Sequence, residues 1–157
     1  MKKLINIFVI TLLGAGLSSC EKADPFVARV VSPVLLLVQG SDGVLSSGMT
    51  TEPSVPALIA SDASVNLKVL ELDKTGILDY KVGIDSLPVS GVKITFKLRT
   101  GAVIKEVSTD TKGVAALSTT WASLGVATPK AGSAVRLTAS GTYKDVSFSK
   151  YFIITGK

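Results

Sequence analysis

The chain contains no histidine. This excludes Ser-His and Cys-His nucleophilic pairs and the histidine-bearing zinc sites. It has a single cysteine, Cys20, so no disulfide can form within the chain and stability must rest on packing. Glutamate, methionine and glutamine are scarce, and after Cys20 no stretch repeats its apolar residues at the 3.6-residue period of an amphipathic helix. Neither a phosphate-cradling nor a dinucleotide glycine pattern occurs, and no Asp-x-Asp-x-Asp spacing suggests calcium. Paired carboxylates of the glycosidase kind need only meet in space. Yet most acids here (Asp62, Asp73, Asp85, Asp110, Asp145) fall at expected turns or strand ends, where turn chemistry accounts for them. The sequence therefore argues against an enzyme, and no metal or cofactor is expected.

What is present begins with an export signal. Lys2 and Lys3 give a positive start, Leu4–Leu13 is apolar apart from Asn6 and Thr11, and Gly14–Ser19 is rich in small residues. The apolar run is much shorter than the ~20 residues that span a bilayer. Leu17-Ser18-Ser19-Cys20 resembles the lipobox of bacterial lipoproteins at every position. That resemblance implies diacylglyceryl transfer to the Cys20 thiol, cleavage after Ser19, and a protein held on a membrane of the bacterial envelope, the outer membrane being expected. Two or three acyl chains make such anchoring stable, whereas one does so only marginally. Residues 1–19 are then signal peptide, 20–25 a tether, and 26–157 one folded domain. Glu21-Lys22-Ala23-Asp24 carries only two acids, which leaves the face of the membrane open. Without residues 1–19, 15 basic and 12 acidic side chains remain, too even a balance for a nucleic-acid partner.

The domain reads as all-β. Val92, Ile94, Phe96 and Leu98 alternate with Lys93, Thr95, Lys97 and Arg99, giving the clearest strand. Val65, Leu67 and Val69 lead a second, ending at Asp73. Further strands are expected at 34–38, 103–107, 114–120, 135–140 and 146–155. The 34–38 segment is either buried on both faces or an edge strand that starts after Pro33. Turns are expected at Gly40–Gly43, Pro88–Gly91, Ser108–Gly113 and Gly141–Asp145. Residues 44–56 read as loop with at most one short strand, 121–132 as loop, and 74–87 as an inserted hairpin or long loop.

Three segments carry a family resemblance: Val65–Asp73, Leu87–Phe96 with its Pro-x-x-Gly turn, and Ser108–Ala115 with its Thr-Asp-x-x-Gly-x-Ala turn. Together they resemble the bacterial Ig-like domains of the invasin and intimin type, over roughly residues 53–155. The resemblance implies an Ig-like antiparallel β-sandwich and a non-enzymatic role in adhesion or in assembly with another envelope or surface protein. It fixes turns and core, not a binding site. The insertion at 74–87 departs from the family pattern, and Tyr80 within it is expected to contribute to the surface the domain uses. Glycan binding is the alternative function, with Trp121 stacking on a sugar beside Tyr80 or Tyr143. The competing reading of Trp121 is that it caps an open end of the sandwich, which the burial habit of large aromatics favours.

Overall fold

The computed structural model describes Ser32–Lys157. The segments expected as signal peptide (1–19) and tether (20–25), Cys20 among them, lie outside the described residues. In chain order the strands are β1 (Leu35–Gln39), β2 (Ser54–Ala57), β3 (Ala63–Asp73), β4 (Asp85–Pro88), β5 (Lys93–Leu98), β6 (Val103–Ser108), β7 (Val114–Thr119), β8 (Ala134–Tyr143) and β9 (Val146–Gly156). No helix occurs among the described residues.

Alternation makes the strands two-faced, and two sheets form by burying the apolar faces against each other. On β5, Ile94 and Phe96 are fully buried while Lys93 is exposed. On β3, Val65, Leu67 and Val69 turn inward, and β8 contributes Leu137 and Ala139 in the same way. The Phe96 and Phe152 rings meet edge to face at the centre, with centroids 6.4 Å apart. The chain is therefore an all-β sandwich.

In the first sheet β3 is central. It pairs with β1 along one side and, along the other, first with β7 and then with β4. The second sheet runs β2-β9-β8-β5-β6. All pairs are antiparallel except β2 with β9, a parallel pair of four residues and a departure from the purely antiparallel sandwich expected. β2 lies on the sheet edge, where Pro56 costs no ladder bond. β1 is also an edge strand: Leu36 and Val38 are buried, and Leu35 and Leu37 only partly so. This decides between the two readings of that segment.

The three family-like segments touch one another. Thr109 is buried; its N–H donates to the Val92 carbonyl at 2.9 Å, and its hydroxyl oxygen accepts from the Val92 N–H at 2.9 Å. Gly91 N–H donates to the Thr109 carbonyl, which ties the two turns together. Asp110 Oδ1 accepts from the N–H groups of Lys112 and Val114, both at 2.8 Å. Gly113 has φ +72°, and a Cβ there would stand 2.5 Å from the Val69 carbonyl oxygen. Its own carbonyl accepts from Val69 N–H, while Val69 accepts from Val89 N–H. At Val69, therefore, β3 changes partner from β7 to β4.

The stretch expected to be one insertion at 74–87 divides in two. Residues 85–87 belong to β4, with Asp85 opposite Asp73 and Leu87 opposite Glu71. All four β4 residues are exposed, so backbone pairing, not side-chain burial, makes this strand. Only 74–84 is loop.

Candidate interaction surfaces

The loop at 74–84 is built from its own hydrogen bonds. Asp73 Oδ1 accepts from Thr75 N–H, and Asp79 Oδ1 from Lys81 N–H, each at 2.9 Å. The Asp79 carbonyl accepts from both Val82 and Gly83. Val82 lies so close over Gly76 that a Cβ at position 76 would meet its Cγ1 at 2.3 Å. With six of the loop's N–H groups bonded in this way, the apolar side chains point out: Leu78 is 98% and Tyr80 90% exposed, joined by Ile77, Val82 and Ile84, and by Leu87 on β4. Single exposed hydrophobics are ordinary, but this many within one loop make an apolar patch of the kind that contact surfaces use.

Tyr143 stands at the same end, half-buried. Its hydroxyl donates to Glu71 Oε2 at 2.8 Å, and Lys144 Nζ pairs with Glu71 Oε1. The Lys144 ammonium and the Tyr143 hydroxyl hold the Glu71 carboxyl below the usual glutamate range. In return, Glu71 and then burial push the Tyr143 phenol up. Tyr143 thus straps the β8–β9 hairpin to β3. That hairpin turns through Lys144 and Asp145, both at positive φ, as a two-residue turn of the twist-matching type requires.

Trp121 corrects the glycan-stacking expectation. It is 4% exposed, and its indole N–H donates to the Leu58 carbonyl at 2.9 Å. A large aromatic with its one donor satisfied gains more from the core than from solvent. It also follows β7, whose Thr119 lies opposite Ala63 at the start of β3, whereas Tyr80 and Tyr143 cluster at the Asp73 end. Eleven residues of strand separate those ends, roughly 33 Å at the usual rise. The structure brings Tyr80 and Tyr143 to one end and leaves Trp121 at the other.

A second surface was not singled out from the sequence. On the outer face of the larger sheet, Arg99 lies over the ring of Tyr151, 4.1 Å from its centroid. Glu52 holds Arg99 Nη1 at 2.9 Å and lies 3.9 Å from Arg136 Nε. Around them the outward positions of β5, β8 and β9 are mostly hydroxyls and lysines: Thr95, Thr138, Ser140, Thr142, Ser147 and Ser149, with Lys93 and Lys97. Lys93 pairs with Glu106 at 3.1 Å. An open groove of about 420 Å³ runs along Lys93, Thr95, Ser140, Thr142 and Ser147. The signal for this face was the strand period, since Ser147, Ser149 and Tyr151 share the wet phase of β9.

Among the described residues, no three acidic or sulfur side chains gather as a metal site would require. Compared with known proteins, the chain matches no family model, no curated protein and no solved structure.

Proposed function

We propose that this chain is a lipid-anchored, non-enzymatic protein of the bacterial envelope whose Ig-like sandwich works by contact, in adhesion or in assembly with another envelope protein. The strand arrangement supports the Ig-like part of the reading. β1, β3 and β7 stand in the order of strands A, B and E, and β9, β8, β5 and β6 in the order G, F, C and C′ of variable-type Ig domains. The hydrogen-bonded meeting of the three family-like segments supports it as well. Lipid attachment at Cys20 rests on the lipobox residues.

The observation that carries the contact role is the Tyr151–Arg99–Glu52 cluster. A half-exposed tyrosine covered by an arginine that a glutamate orients presents, already ordered, two of the three residue types most enriched at interface hot spots. Ordering them in advance lowers the entropy lost on binding. The glycan alternative has fewer residues to stand on, because Trp121 is buried and Arg99 already covers one face of Tyr151. The test is affinity capture from membranes with the full chain and with Tyr151→Ala/Arg99→Ala. Loss of most of the wild-type partner band, with the melting temperature kept within a few degrees, is expected. Unchanged capture would place the contact elsewhere.

A further inference from the structure

The exposed apolar loop and the start of the described chain lie at the same end of the sandwich. β1 runs antiparallel to β3 with Leu35 opposite Leu70, so Ser32 to Val34 enter beside the Leu70–Asp73 end. The loop leaves β3 from that same end, after Asp73, and returns opposite it at Asp85. The Tyr143–Val146 hairpin is tied there through Glu71. A chain tethered upstream of Ser32 is therefore tethered from the face that carries Leu78 and Tyr80. Eleven residues lie between Cys20 and Ser32, a reach of at most about 40 Å when fully extended. A tether of that reach lets this end, the one it joins, rest on the bilayer.

We propose that the loop at 74–84 docks onto the bilayer that carries the lipid on Cys20, with Ile77, Leu78, Tyr80 and Val82 entering the headgroup–acyl boundary. The inference rests on the lipid anchor proposed above. Six of the loop's N–H groups, at 75, 77, 79, 81, 82 and 83, are bonded within the loop or to Asp73 at its base, and the others keep water or headgroup oxygens as partners at the boundary, so only side-chain tips have to leave water. A tyrosine between aliphatic residues suits the interfacial layer, where its ring is apolar and its hydroxyl wet. The charges identify the kind of surface. Lys74 and Lys81 are balanced by Asp79, with Asp73 and Asp85 at the base, so the loop has no excess of positive charge to draw it to anionic lipid. Docking is by apolar burial, on zwitterionic bilayers, and independent of salt. Its consequence is orientation: the lipid anchor and the loop together hold the sandwich by one end, and the Tyr151–Arg99 face stands along its side.

The test uses the full, lipidated chain in phosphatidylcholine vesicles, with an environment-sensitive dye on Leu78→Cys or, as control, on Ala102→Cys. Residue 102 is exposed on the turn between β5 and β6, toward the other end. Cys20, being acylated, does not label. A blue-shifted dye at 78 that is quenched by spin-labelled lipid, in 1 M salt as in low salt, beside an unaffected dye at 102, is the expected result. Vesicle flotation with a dye at 78 as water-exposed as that at 102 overturns the docking and leaves the anchor standing. Shielding at 78 in native membranes but not on pure lipid also overturns it, and assigns the loop to a protein partner. A chain that neither floats nor carries fatty acid overturns both readings.

Discussion

Truncation of Phe96 tests the packing on which the sandwich depends. The side chain is fully buried, in the middle of β5, between β6 and β8. Replacing a buried phenylalanine by alanine costs about 3–5 kcal/mol, from lost transfer energy and the cavity left behind. The edge-to-face contact with Phe152 is lost as well, and such pairs contribute about 0.5–1.5 kcal/mol beyond area. The upper part of the range, about 4–5 kcal/mol, is therefore expected. At roughly 3–5 °C per kcal/mol for a domain of this size, the melting temperature should fall by roughly 12–25 °C. Lys97→Ala, one residue along on the other face, should cost under about 0.5 kcal/mol. Urea and thermal unfolding followed by circular dichroism measure both. Similar losses from the two variants would refute the register of β5 and the core built upon it.

Gly113 and Gly91 share a positive φ but not their surroundings. An alanine at 113 meets the Val69 carbonyl, whereas at 91 nothing stands within 4 Å. Gly91→Ala should cost about 1–2 kcal/mol for the left-handed backbone alone, and Gly113→Ala clearly more; equal losses in urea would contradict the close approach at the β3 seam. Replacing 74–84 by a short glycine-containing turn, with β4 kept, should leave a cooperative melt and the β-type dichroism; an unfolded variant would make the loop part of the fold. Glu71 ionises more readily folded than unfolded, so its stabilisation is present above the ordinary glutamate range and is lost as pH falls through the lowered native value. The stability gap between wild type and Glu71→Gln, read from urea midpoints, should shrink on acidification; a gap independent of pH would contradict the Lys144–Glu71–Tyr143 strap.

The elements legible in the sequence are those whose side chains carry the pattern. β5 and the first part of β3 alternate cleanly, and Thr109, Asp110 and Gly113 announce a turn by chemistry that acts within a few residues. β2 and β4 gave no such signal. Each has four residues and exists because a neighbouring strand offers unpaired backbone: the end of β9 for one, the end of β3 for the other. No local period can report such a partner, which for β2 lies nearly a hundred residues away. The same reason hid the candidate face, since Tyr151 meets Arg99 and Glu52 only once β9, β5 and the segment before β2 are assembled. Trp121 could be weighed from its residue type, but its donor bond to Leu58 belongs to the fold.

The most direct test of the account is the mass of the N-terminal peptide of the protein isolated from the membrane fraction. The account predicts a chain that begins at Cys20 and bears a diacylglyceryl group on its sulfur, with Cys20→Ala accumulating as the unprocessed precursor. A peptide that begins at another residue, or a Cys20 with a free thiol, would contradict it.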